Sequence, residues 1–184
     1  MALYRTFAGI AACLMMAGQF VIAPAHAQSP APSSPPPPCQ SEAFNQFDFW
    51  LGTWEVETVT GQTAGENVIQ KVEGDCLIKE SWTNTAGGTG QSMNFYNPVT
   101  DEWRQVWVSA GSIIDYTGGL TESGSMKLEG TITYTGNATS FPFTGEWTPN
   151  DDGTVTQHFE QYDPETEEWK AWFTGIYKKK SVKL

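Results

Sequence analysis

Two side chains in this sequence have the chemistry to move a proton inside a folded core. Glu80 lies in Ile78-Lys79-Glu80-Ser81-Trp82, and His158 is the only histidine after His26. A carboxyl buried beside the Trp82 indole would be pushed toward neutrality and suit general acid–base work; the same group held by hydrogen-bond donors would serve structure alone. His158 sits in Val155-Thr156-Gln157-His158-Phe159-Glu160. Strand alternation groups it with Thr156 and Glu160 against Val155, Gln157 and Phe159, and the more apolar set belongs inside, which puts His158 on the surface or rim. Other catalytic patterns are missing: there is no G-x-S-x-G and no H-E-x-x-H, and Gly87-Gly88-Thr89-Gly90 lacks the lysine and helix of a phosphate loop, so it reads as a turn. No metal site is expected. Asp151-Asp152 before Gly153 reads as a hairpin turn with too few convergent oxygens for calcium, and the cysteines show no zinc spacing.

Binding needs a different set of residues. Ile78, Glu80 and Trp82 share one parity, as do Ser92, Asn94 and Tyr96, and Trp103, Gln105 and Trp107. Amides, hydroxyls and indoles on apolar walls are what a small-molecule cavity uses to orient its ligand. Parity alone leaves the opposite face open, with Met93, Phe95, Val106 and Val108 as the core. Later segments are clearer, with Met126, Leu128, Gly130, Ile132 and Tyr134 on one inward face and Phe141, Phe143, Gly145 and Trp147 on the next. The candidate ligand-binding residues are therefore Glu80, Trp82, Ser92, Asn94, Tyr96, Gln105, Trp107, Trp147, Gln157 and Phe159.

A sheet must position these groups. From Phe49 onward, short aromatic and β-branched runs alternate with Gly, Asn-Pro, Asp-Pro and Asp-Gly turns, which predicts an all-β meander of about ten strands. They fall at roughly 50–60, 66–73, 76–85, 91–96, 103–110, 112–120, 125–135, 140–148, 154–162 and 169–178. Before them, Ser41 to Phe47 reads as one or two helical turns capped by Ser41, with Phe44 and Phe47 on one side. Tyr96-Asn97-Pro98-Val99-Thr100-Asp101-Glu102-Trp103 matches Tyr162-Asp163-Pro164-Glu165-Thr166-Glu167-Glu168-Trp169 in character. Both read as hairpins that pair Tyr with Trp across the ladder.

Composition sets the wider frame. The formal net charge is -11, and Arg5 is the only Lys or Arg before Lys71, so a nucleic-acid binder is excluded. Arg5, an apolar stretch to Ala23 and Ala25-His26-Ala27 make a secretory signal peptide over residues 1–27, with Cys13 in a weaker lipobox-like alternative. After cleavage no membrane span is expected. Residues 28–38 form an extended Pro-rich linker, and the folded domain covers 39–184. Cys39 and Cys76 remain as an even pair for a disulfide in a periplasmic or secreted protein. The end of the chain carries Lys178, Lys179, Lys180 and Lys183, read as a solvated tail that discourages sheet-edge association, or as a contact for an anionic membrane.

Phe47-Asp48-Phe49-Trp50-Leu51-Gly52-Thr53-Trp54, with GDCLIKESW, SMNFYNP, EWRQVWV, WTPNDDGTVTQHFE and a final GIYKK, resembles a family of exported bacterial proteins of unknown function with a calycin barrel, lipocalin- or nitrobindin-like. The likeness covers roughly residues 44–178 and implies a barrel with a cavity. It also favours the inward placement of the polar and aromatic set. Haem, which some nitrobindin-like relatives hold through a histidine, would here depend on His158, whose local sequence does not match that motif. The expected fold is a ten-stranded antiparallel up-and-down calycin-like barrel with a short N-terminal helical turn. The expected function is an exported binder of a small apolar or aromatic molecule without a required cofactor. The alternatives are a small barrel enzyme (isomerase, lyase or hydrolase) using Glu80 or His158, and a haem binder.

Overall fold

Alternation of apolar and polar residues from Gly52 onward gives strands with one face for a core and one for water. In the computed structural model, which describes residues 37–180, these strands are β1 (Gly52–Thr58), β2 (Thr63–Val72), β3 (Leu77–Asn84), β4 (Thr89–Asn97), β5 (Glu102–Ser109), β6 (Ser112–Leu120), β7 (Met126–Tyr134), β8 (Thr139–Pro149), β9 (Val155–Asp163) and β10 (Glu168–Lys179). The expected signal peptide and nearly all of the Pro-rich linker lie outside the described residues, as does Lys183. Each strand pairs antiparallel with its sequence neighbours, and β1 returns to β10, closing an up-and-down barrel. No helix among the described residues is long and apolar enough to cross a membrane.

The N-terminal segment departs from the sequence reading in two ways. It forms two 3-10 turns, Glu42–Asn45 and Asp48–Trp50, and Ser41 makes no side-chain cap; its carbonyl instead accepts the Phe44 N–H at 3.0 Å. Trp50, expected to open the first strand, belongs to the second turn because its indole is wholly buried in the barrel end. Gly52, at φ 145°, makes the sharp change of direction from plug to wall that a residue with a Cβ would resist.

This segment closes one end of the barrel. Phe47 stacks on Trp50 at 4.9 Å and meets Trp103 and Trp147 edge-on at 5.7 and 5.3 Å. Trp54 donates its indole N–H to the Trp50 carbonyl at 2.9 Å, and Lys71 pairs with Asp48 at 2.7 Å. Outside the plug, the Cys39–Cys76 disulfide (Cα–Cα 5.0 Å) ties the segment to the turn that leads into β3.

The two look-alike hairpins form as read: Tyr96 faces Trp103 and Tyr162 faces Trp169 across their ladders, with ring centroids 6.2 and 5.7 Å apart. Each turn is completed by a residue in the left-handed region, Asp101 (φ 57°) and Glu167 (φ 55°). The reading of the lysine-rich end as a tail that discourages sheet-edge association needs correction. Lys178 and Lys179 lie in β10, where Lys178 pairs with Glu57 at 2.6 Å, Lys180 pairs with Glu66, and Lys179 lies 5.3 Å over the Trp54 ring. Among the described residues barrel closure leaves no sheet edge for them to guard, and Lys178 and Lys180 are partnered by acidic residues of β1 and β2.

Candidate functional site

Above the aromatic plug the interior turns polar. Hydrogen bonds run round the barrel from Gln157 on β9 through Tyr177 on β10, Asn67 on β2, Glu80 on β3, Ser92 and Asn94 on β4 and Gln105 on β5 to Tyr116 on β6. The Tyr177 hydroxyl donates to Gln157 Oε1 at 2.8 Å, and Asn67 Nδ2 donates to Tyr177 Oη at 3.2 Å and to Glu80 Oε1 at 2.6 Å. Ser92 Oγ donates to Glu80 Oε2 at 2.6 Å while accepting from Asn94 Nδ2 at 2.9 Å. Gln105 donates to Asn94 Oδ1, and Tyr116 donates to Gln105 Oε1. Eight polar side chains thus bond to one another in a place where each, left alone, would cost about 1–3 kcal/mol; among them the Asn67 Oδ1 stays buried without a partner.

Glu80 is the anchor of this belt. Only 4% of it is exposed, and burial raises its pKa from 4.5 to about 7, with the bonds from Ser92 and Asn67 pulling the other way. Burial and the nearby Glu80 charge push the phenols of Tyr116 and Tyr177 well above 10, so both stay neutral donors.

On the far side of the belt opens a cavity of about 480 Å³. Its floor is Glu80, Gln105, Tyr116, Gln157 and Tyr177, and its walls include Trp82, Trp107, Ile114, Phe159 and Phe173. Gly90 makes room for Trp107, whose ring atoms would lie 2.1 Å from any Cβ added there. The rim is formed by the β3–β4 and β5–β6 turns, including Asn84, Gly88, Ala110 and Gly111, and by Trp172. Trp172 is the extra residue of a bulge in β10, between Ala171 opposite Glu160 and Phe173 opposite Phe159. Bulges re-aim side chains. Here the indole meets Phe143 and Phe159 at ring distances of 5.6 and 6.2 Å and donates to the Tyr134 hydroxyl at 3.0 Å, leaving 47% of the residue exposed at the mouth.

The candidate residues distribute over three levels. Glu80, Trp82, Gln105, Trp107, Gln157 and Phe159 line the cavity together. Ser92 and Asn94 point inward but lie behind the lining, holding Glu80 and Gln105 in place. Tyr96 and Trp147 do not line it. Tyr96 bonds Asp101 and packs on Phe44 at the closed end, and Trp147 is wholly buried against Phe47 and Trp50. The plug occupies the level at which these two residues project, which displaces any ligand from them. The alternative inward face is outside: Met93 is 58% and Val108 52% exposed.

His158 is on the outer wall, where its ring bonds Thr174 at 2.7 Å and stands 3.7 Å from Glu160. It is not placed to hold an iron in the cavity, so the haem reading that depends on it does not fit this lining, and neither does a catalytic role for it there. The two turn readings fit the geometry. Asp152 Oδ1 accepts from the Thr154 N–H and hydroxyl, at 3.0 and 2.6 Å, and Asn84 Oδ1 accepts from the N–H groups of Ala86 and Gly88 at 2.9 and 2.8 Å.

Residues outside the sequence-derived set complete the site. Asn67, Tyr116 and Tyr177 share the inward parity of their strands and could have been found by it. Trp172 could not, because a bulge leaves no mark in the alternation. A scan against models of protein families matches nothing in this chain, and a search of curated proteins likewise gives no match.

Proposed function

We propose that this protein is an exported binding protein that holds a small apolar or aromatic molecule in its barrel cavity. The observation that carries this reading is the cavity itself, about 480 Å³ with indole walls over a floor of polar side chains already bonded to one another. That volume falls within the roughly 300–1,000 Å³ of drug-sized sites. A lumen built for stability alone would be filled with Leu, Ile and Val. Instead, side chains that orient a ligand are pre-organised, and Trp82 and Trp107 supply flat apolar contact. Native purification followed by mass spectrometry should recover a retained small molecule, and its addition to stripped protein should quench tryptophan fluorescence. Trp107→Ala should weaken that binding at least tenfold with the melting temperature nearly kept. Absence of any retained or quenching molecule across an apolar and aromatic library would defeat the proposal.

The calycin likeness belongs to the same reading, supported by the closed antiparallel barrel and by Gly52-x-Trp54 at its closed end. So does export: cleavage after Ala27 and a spacer over 28–38 are supported by Ala25-His26-Ala27 and by a disulfide of the kind that persists in oxidising compartments. The intact mass of the purified protein should correspond to a chain starting at Gln28. A second reading, proton-transfer catalysis, is favoured by one observation, the Glu80 carboxyl raised to about 7 on the cavity floor. Under it, Glu80→Gln abolishes turnover of a cavity substrate while binding survives.

A further inference from the structure

Among the described residues Glu80 is the one Asp, Glu, Lys, Arg or His in the cavity lining, and no positive charge there opposes it. Donors converge on it from two sides, the Asn67 amide on Oε1 and the Ser92 hydroxyl on Oε2, with Ser92 itself fed by Asn94. The Asn67 amide donates whatever the state of Glu80, and the Ser92 hydroxyl can donate to a carboxylate or turn to accept from a carboxylic acid, so the site accommodates both forms and holds the anion once Glu80 ionises. None of the described lysines or arginines lines the cavity, and several pair elsewhere: Lys71 with Asp48, Arg104 with Asp115, Lys170 with Asp163 and Lys178 with Glu57. A buried anion with its donors in place and no counter-charge is half of an ion pair.

We infer that the ligand is an organic cation, an aromatic or apolar amine whose protonated nitrogen sits against Glu80 while its apolar body lies between Trp82, Trp107 and Phe159. This rests on the cavity being the binding site and adds the ligand's charge. The ammonium donates to the remaining lone pairs of the Glu80 oxygens and of Gln157 Oε1, both on the floor. Indole faces attract a cation that has left water, so Trp82 and Trp107 favour the same head group. A carboxylate or phosphate ligand would meet Glu80 with no opposing charge, and the formal net charge of -11 repels anions and draws cations. The groups facing Glu80 from other elements are Asn67, Ser92, Tyr116 and Tyr177; of these only the tyrosines titrate, and they stay neutral, so Glu80 alone changes charge there.

Three probes of matched shape test it: naphthylmethylamine, naphthylmethanol and naphthoate, titrated into the disulfide-intact protein by tryptophan quenching. At about pH 8 the amine should bind at least about tenfold more tightly than the alcohol, with naphthoate weakest. Lowering the wild-type protein to about pH 5.5 protonates Glu80 and should weaken the amine on the order of tenfold while leaving the alcohol unchanged. This arm needs no variant. Glu80→Gln should bring amine and alcohol within about twofold of each other. If the alcohol binds as tightly as the amine at both pH values, the cation inference is wrong and cavity binding stands. If none of the three quenches the protein or any probe binds Trp107→Ala as well as wild type, the cavity reading fails and this inference with it.

Discussion

Half of the eight tryptophans, Trp50, Trp54, Trp103 and Trp147, lie at the end of the barrel that the 3-10 turns close, and the other half, Trp82, Trp107, Trp169 and Trp172, lie at the open end. At the closed end they are buried to within a few per cent and stack on one another and on Phe47. At the open end Trp169 and Trp172 are nearly half exposed, and Trp82 and Trp107 face a space instead of a neighbour. The strands and their alternation are alike at both ends. What differs is a segment of nine residues, 42–50, that fills one end of the lumen and has no counterpart at the other. A tryptophan therefore contributes stability or a binding wall according to whether the chain supplies something to cover it.

That contrast can be broken most severely from the closed end. Trp147→Ala removes an indole touching Phe47, Trp50, Tyr116 and Phe159, and should cost about 5 kcal/mol in denaturant unfolding while the surviving folded fraction keeps its ligand preference. Cys76→Ser frees the plug segment from the barrel. Losing a crosslink between residues 37 apart should lower stability by about 4 kcal/mol on the loop-entropy model, and a reductant should do the same to the wild type.

The polar belt gives a smaller, pH-dependent effect. Because the folded protein holds the Glu80 proton to about pH 7 and the unfolded chain releases it near 4.5, the native state binds more protons across that window. Stability of the ligand-free protein should therefore fall as pH rises from about 4.5 to 7, by roughly 3 kcal/mol in all, and Glu80→Gln should flatten that slope. A slope of opposite sign at Glu80 would mean the carboxylate is stabilised in the fold. Smallest in energy is Trp172→Ala. It should change unfolding free energy by less than about 1 kcal/mol yet speed ligand dissociation several-fold in stopped-flow fluorescence, since the side chain covers the mouth more than it supports the wall.

Much of this division was legible in the sequence, at the level of faces. Two-residue alternation put Gln157 and Phe159 inside and His158 outside, because one burial face per strand leaves little freedom; for the strands of Glu80, Trp82, Gln105 and Trp107, whose two faces are both partly apolar, it left either face open, and the calycin resemblance favoured the inward one. Height along the barrel was not legible. Nothing in the alternation says that Tyr96 and Trp147 project at the level of a plug formed by residues remote in sequence, and no local pattern announces a bulge that turns Trp172 over the mouth. The lysines at the end of β10 and just beyond it misled for a related reason: as a linear cluster they read as a tail, and only closure sets Lys178 and Lys180 beside Glu57 and Glu66.

That closure also bears on the order in which the chain is made. Every other ladder joins consecutive strands, but the β1–β10 seam joins residues more than a hundred positions apart, with Val56 opposite Tyr177. Until residues 168–179 emerge, nine paired strands present two unpaired edges, β1 and β9, each able to recruit another copy. A nascent or prematurely terminated chain is thus an aggregation hazard, whereas in the finished one none of the ten described strands is left with a free edge. Holding the polypeptide unfolded until its last dozen described residues are available would keep that hazard from arising, and chains stopped before β10 should be found in inclusion bodies or degraded.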